Sequence, residues 1–191
     1  MADIKTWANG QKITPDDMKT YVSDALRGFM EAPACRRTIA NQASEQKAAK
    51  TWYPVTLERV GSGVGATHSY DNTGGQMSKD PVKVVAPIDG LYELSFGIIL
   101  RAVSGTLTYA LAAANINQTN GGQIAAKPIV RTGCGRSSAA EKVGAGSATV
   151  ALKAGDFVSL AVHADDAFYI GDGSYAQMIS HFELRWVGVK P

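Results

Sequence analysis

From Cys35 onward the apolar residues of this chain recur at every second position, and that period constrains the fold more than any other feature. In the stretch "VVAPIDGLYELSFGIIL", Tyr92, Leu94, Phe96, Ile98 and Leu100 alternate with Glu93, Ser95, Gly97 and Arg101. In "GDFVSLAVHA", Val158, Leu160 and Val162 take one parity while Ser159, Ala161 and His163 take the other. "SHFELRWVGV" repeats the pattern, with Phe182, Leu184 and Trp186 against His181, Glu183 and Arg185. Successive side chains on a strand point to opposite faces, so each segment offers one face to a core and one to water.

Short segments rich in Val, Leu, Ile, Thr and aromatics are separated by Gly, Asn and Asp, which predicts an all-β sandwich or barrel. The predicted strands are Arg36 to Asn41, Thr51 to Val60, Val82 to Ala86, Gly90 to Val103, Leu107 to Asn115, Ala125 to Thr132, Ala148 to Ala151, Asp156 to His163 and Ser180 to Val187. A further short strand is expected within Ala167 to Tyr175. "GSGVGATHSYDNTGGQ" and "NQTNGG" read as long loops, where a β scaffold places its contacts. A chain of 191 residues has room for one such core and an appendage.

That appendage is the N-terminal part, where the period changes. In "ITPDDMKTYVSDALRGFMEAP", Thr14 is a fitting N-cap, Pro15 suits the first helical position, and Asp16 and Asp17 complement the helix dipole. Met18, Val22, Ala25 and Phe29 follow at spacings of four, three and four; Tyr21 and Leu26 widen the stripe, and Pro33 ends it. So short a helix is marginal alone in water. Its stripe must be covered by its own domain, by copies of itself or by another protein. Residues 1–33 therefore form a predicted arm, and residues 34–191 a predicted β domain.

The charge pattern argues against several partners. Formal net charge is +2, and Arg36 with Arg37 is the only adjacent arginine pair, so there is no concentrated basic face for nucleic acid. No apolar run approaches the ~20 residues of a bilayer-spanning helix, and insertion in a membrane is not expected. The start, "MADIKTWANG", lacks an apolar h-region, which predicts a chain made without a secretory signal and two reduced thiols, Cys35 and Cys134.

Chemistry-bearing motifs are sparse. His68, His163 and His181 include no HxH pair; His163 and His181 read as solvent-facing strand residues, and Asp165 with Asp166 as a turn. There is no GxSxG elbow, P-loop or dinucleotide fingerprint. "GCGRSS", Gly133 to Ser138, reads as a flexible turn, and Cys134 has Arg131 and Arg136 near it but no assignable base. No catalytic, cofactor-binding or metal-binding residue is assigned, and no enzyme is expected. If the chain instead recognised a glycan, Trp52, Tyr70 and Tyr175 would be the stacking candidates.

"VKVVAPIDGLYELSFGIIL", "VALKAGDFVSLAVH" and the closing "SHFELRWVGV" resemble the jelly roll of the complement globular head and tumour-necrosis-factor families. The likeness rests on Pro87, Gly90 and Tyr92 leading into a central strand, Gly155 and Asp156 in an AGD turn, and Phe182 and Trp186 in an aromatic final strand. It implies a jelly-roll sandwich and assembly as a homotrimer, one sheet of each subunit packing on the edge of the next. In physical terms Pro87 ends the preceding strand, Asp89-Gly90 is expected to supply turn geometry that a Cβ resists, and Tyr92 begins the core face.

The leader "TWANGQKITPDDMKTYVSDALRGFMEAP" resembles that of virion proteins of tailed bacteriophages, notably minor tail proteins of phages infecting actinobacteria. That resemblance implies a structural virion component, made in the host cytoplasm and displayed at the tail tip or as a capsid decoration. Trp7, Met18, Tyr21, Val22, Ala25, Leu26 and Phe29 would then contact trimer mates or other virion proteins. The competing reading is a head domain that binds a receptor or glycan on the host surface.

Overall fold

The computed structural model describes residues 12, 14–18, 32–39, 45–58, 68–134, 141–171 and 180–189. Its chain divides into two compact units, Met1–Ala32 and Pro33–Pro191. In the first, Thr14 caps a short helix, α1 (Pro15–Met18): the Asp17 amide donates to Thr14 Oγ1 at 3.2 Å, and the Thr14 amide donates back to Asp17 Oδ2 at 3.0 Å. Two otherwise orphaned amides are satisfied reciprocally. Tyr21, Val22, Ala25, Leu26 and Phe29, like Trp7, lie outside the described residues.

The second unit is a sandwich of two antiparallel sheets. Its strands are β1 (Ala34–Thr38), β2 (Tyr53–Pro54), β3 (Tyr70–Asp71), β4 (Val84–Val85), β5 (Gly90–Ala102), β6 (Ala110–Ile116), β7 (Val130–Cys134), β8 (Glu141–Leu152), β9 (Phe157–Ala164), β10 (Phe168–Ile170) and β11 (His181–Gly188). One sheet runs β3-β1-β11-β5-β8, with β10 pairing the far end of β5 on the β11 side. The other runs β2-β9-β6-β7, and β4 shares the outer edge of β9 with β2. Between them lie Tyr92, Leu94, Phe96 and Ile98 from β5, Val158, Leu160 and Val162 from β9, and Phe182 and Leu184 from β11. The period-two alternation thus becomes the core, each large apolar side chain contributing roughly 1.5–3 kcal/mol by leaving water.

Several segments differ from the sequence expectation: Gly133 and Cys134, read as part of a flexible turn, end β7 because they pair with Leu111 and Ala110, and Tyr70–Asp71 is a short strand inside an expected loop because it pairs with β1. Ala125 to Thr132 was expected as one strand, yet Gly121–Ala126 is a helix, α2, whose Asn120 cap accepts from the Gly122 amide at 2.9 Å. Ile124 is buried against Ala113, Ala161 and Trp52, so tertiary burial overrides two glycines that read as a loop. The Ala148 to Ala151 strand extends to twelve residues, because β8 pairs with β5 from Arg101↔Glu141 to Gly90↔Leu152 and the ladder outweighs the weak strand preference of its Gly and Ala. Thr51 to Val60 shrinks to Tyr53–Pro54 and an isolated bridge at Leu57.

The Pro87–Gly90 turn is held from several sides. The Tyr92 hydroxyl donates to the Ile88 carbonyl at 2.9 Å, Trp186 Nε1 to the Asp89 carbonyl at 3.3 Å, and the Ala154 amide to Asp89 Oδ1 at 2.8 Å. Beside it the Ala86 amide donates to the Asp156 carbonyl and the Gly155 amide to the Ala86 carbonyl. Asp156 also accepts from the Lys153 amide at 2.8 Å and from Asn117 Nδ2 at 2.7 Å. Burial of its ring pushes the Tyr92 phenol up to about 12, so it remains a donor at any physiological pH.

Gly90 is required here both for its backbone, at φ +159°, as the sequence suggested, and for space. A Cβ on Gly90 would stand 2.1 Å from Trp186 Nε1 and 2.7 Å from the Gly188 carbonyl oxygen. Gly90→Ala is therefore expected to cost about 1–3 kcal/mol by overpacking, read as a lower urea midpoint at unchanged m-value. Adding Trp186→Phe should recover part of the loss, and additive effects of the two changes would refute the contact.

Candidate functional site

The outward face of the β3-β1-β11-β5-β8 sheet is built by the second parity of each strand. Register places Tyr70, Arg36, Glu183, Ser95 and Ser147 in one row, Ala34, Arg185, Glu93 and Thr149 in the next, and Thr38, His181, Gly97 and Ala145 in a third. Charges in the first two rows pair with one another. Arg36 Nη1 lies 3.4 Å from Glu183 Oε2, the Tyr70 hydroxyl donates to Glu183 Oε1 at 2.9 Å, and Arg185 Nη2 lies 2.7 Å from Glu93 Oε2. Burial and the bond to Glu183 push the Tyr70 phenol up to about 12, while its Glu93 partner raises Arg185. Exposed Val143 and Val187 border the polar rows, and small Ser95, Gly97, Ala145 and Ser147 leave the middle low.

The opposite outward face, on the β2-β9-β6-β7 sheet, is largely covered by the chain itself. Helix α2 packs on β9 and β6, and beside it a line of rings crosses the strands: Tyr109 stacks on His163 with centroids 5.8 Å apart, His163 meets Trp52 at 5.2 Å, and the Arg131 guanidinium lies 5.3 Å from the Trp52 ring. His163 is consequently half-buried, not the freely solvated histidine its parity suggested. Burial and Arg131 lower its pKa below the ordinary histidine value. Trp52 is engaged by His163 and Arg131, while Tyr70, its hydroxyl bonded to Glu183, keeps 41% of its surface exposed. Tyr175 lies outside the described residues.

No group of histidine, cysteine and carboxylate side chains among the described residues is arranged to hold a metal. Asp165, read from sequence as a turn, accepts from the Thr108 and Tyr109 amides at 3.1 and 3.2 Å. Cys35 is fully buried and its thiol is pushed up to about 12, chiefly by burial, which makes it an inert core residue. Among the described residues no helix is long and apolar enough to cross a membrane.

The sequence matches no protein-family model and no curated protein. Solved structures do resemble the chain. The globular domain of zebrafish complement 1qA protein is 13% identical, with a TM-score of 0.51 over 83% of this chain and 99% of that one. The crystal structure of murine APRIL is 9% identical, with a TM-score of 0.53 over 81% of this chain and 98% of that one. This chain has their fold. At such identities the likeness is one of architecture, the complement-head and tumour-necrosis-factor jelly roll.

Within that jelly roll, Pro87, Gly90, Tyr92, Gly155, Asp156 and Trp186 gather around one turn, and Phe182 lies in the core. Met18, in the first unit, is 50% exposed. Sequence reasoning missed the partners of Asp71. This carboxylate accepts from the Thr73 and Ser78 amides, each at 2.9 Å, and so closes the loop that follows β3. A short strand inside a Gly/Asn-rich run left only the D-x-T spacing of an Asx turn as a signal.

Burial alone would raise the Asp71 carboxyl, but the bonds from Thr73 and Ser78 outweigh it and hold the group below its ordinary value. A carboxyl depressed in the folded state stabilises fully above its unfolded pKa, near 4, and loses that contribution as pH falls through the folded value. Asp71→Asn is accordingly expected to lower stability at pH 7 and to flatten the loss on acidification from pH 5 to pH 2, measured by urea unfolding across that range. Parallel pH profiles for the two proteins would show that Asp71 carries none of the acid sensitivity.

Proposed function

We propose that this chain is a non-catalytic structural component of a bacteriophage virion, a homotrimeric jelly-roll head displayed at the tail tip or on the capsid surface. Residues 1–33 serve as its attachment segment, and the protein passes through the host cytoplasm before assembly. Its partners are two further copies of itself and other virion proteins. Support for the phage setting comes from the leader alone, whose Trp7-x-x-Gly10, Thr14-initiated helical pattern and Pro33 resemble the leaders of tail proteins.

The observation that carries the assembly reading is the charge pairing on the β3-β1-β11-β5-β8 face. Burying a sheet face against another copy is costly when it strands a charge. Here Arg36, Glu183 and Tyr70 form one network and Arg185 with Glu93 another, so a copy can cover these two rows without stranding their charges. Exposed Val143 and Val187 add apolar area, and three copies hold weak contacts at high effective concentration.

Mass photometry of the purified chain is expected to give three times the chain mass, and a monomer at micromolar concentration would sink the reading. Glu183→Arg, which places three cations around one position, should shift the population to monomer while far-UV circular dichroism stays unchanged. Deleting residues 1–33 should leave a folded trimer that no longer joins particles. If the deleted form is monomeric, the N-terminal segment and not the sheet face is the oligomerising element.

A further inference from the structure

One side of the sandwich is closed by β7 against β8; on the other, beyond β1 and β3, the loop 72–83 leaves a cavity of about 670 Å³. That volume is in the range of small-molecule sites, about 300–1,000 Å³. Arg37, Leu57, Asp71, Gly74, Gly75, Ser78, Lys79 and Pro81 line it. Gly74 and Gly75 have φ of +67° and +88°, and a Cβ at either would meet no atom within 4 Å, so the loop backbone faces open space.

Arg37 sets the electrostatics of this cavity. Its side chain is only 2% exposed, and every hydrogen bond it makes goes to a main-chain carbonyl: Nε to Glu58 at 2.9 Å, Nη2 to Leu57 at 3.1 Å, Nη1 to Lys83 at 3.3 Å and to Asp80. Among the described residues no carboxylate lies within ion-pair distance of it. A guanidinium keeps its proton even when buried, so the charge stays; carbonyl dipoles surround it, and the Asp80 and Asp71 carboxylates act on it from beyond ion-pair distance. Of the other lining groups, Asp71 is occupied by Thr73 and Ser78; Asp80, outside the lining, is taken up by Lys83 at 3.4 Å. Lys79 is exposed at the cavity. The lining thus holds two cations against one carboxylate, a net of one positive charge.

We infer that this cavity binds an organic monoanion rich in hydroxyl groups, of the uronate type, with its carboxylate toward Lys79 and the buried Arg37. Leu57 and Pro81 offer apolar wall to the C–H face of a sugar ring, and Ser78 with the Gly74–Gly75 main chain offers polar wall to its hydroxyls. The site lies within one chain. It is independent of the assembly reading, and each can fail while the other stands.

Saturation-transfer NMR and calorimetry on the full chain would test it with methyl glucuronide, a glucuronate-terminated disaccharide, methyl glucoside and benzoate. Binding of both uronates, with methyl glucoside and benzoate at least about tenfold weaker, is the expected result, tenfold being the loss of one charge-assisted contact. Equal or tighter binding of the disaccharide would mark a terminal glycan residue as the source, and tighter binding of the monosaccharide a free metabolite. Lys79→Glu, an exposed change that makes the lining net negative, should weaken uronate binding at least about tenfold with the urea midpoint unchanged. No uronate binding, equal binding of benzoate or methyl glucoside, or an unaffected Lys79→Glu protein would each overturn the inference. Mass photometry of the same samples reads the assembly state separately.

Discussion

The structure depends on the register of one thirteen-residue strand. β5 pairs with β8 from Gly90 to Arg101 along one edge and with β11 and β10 along the other, so a slip of one residue would turn Tyr92, Leu94, Phe96 and Ile98 out of the core and bring Glu93 and Arg101 into it. The turn before the strand guards against that slip. Gly90 lies against the Trp186 ring, Asp89 is bonded by Trp186 and Ala154, and Tyr92 reaches back to Ile88. A residue from β11 and one from the β8–β9 connection thereby fix where β5 begins.

With register set, both faces of the sheet follow. The inner parity of β5, β8 and β11 fills the core, and the outer parity aligns Arg36 with Glu183 and Arg185 with Glu93 across strands. These outer pairs are modest in energy while exposed to water. Their importance rises when the face is covered, because an aligned pair can be buried where a lone charge cannot. Registry that protects the core therefore also prepares the outer face for contact. The same strands carry Arg37 inward, where main-chain carbonyls from residues 57, 58, 80 and 83 surround it and bind the edge of the sandwich to its loops.

The two outer faces have different fates. On the β2-β9-β6-β7 side, Ala113 and Ala161 are small enough for α2 and Trp52 to lie on the sheet, so the chain shields that face with its own residues. On the β3-β1-β11-β5-β8 side the outward parity presents the paired charges of Arg36 with Glu183 and Arg185 with Glu93. This asymmetry separates a face covered by apolar packing from one that carries aligned charges.

How legible all this was in the sequence depended on the range of the interactions. Alternation in Tyr92–Leu100, Val158–Val162 and Phe182–Trp186 determined the all-β class and the inner face of three strands, because a two-residue period is a local property of extended backbone. Thr14, Pro15 and Asp17 likewise marked a helix start through contacts three residues apart. Only tertiary structure decided that Gly90 yields space to Trp186, that β8 runs twelve residues through Gly and Ala, that Gly121–Ala126 is helical, and that Arg37 faces a cavity rather than solvent. Each of these is settled by a neighbour distant in sequence, and no local propensity encodes the shape or charge of a surface that exists only after the two sheets have closed.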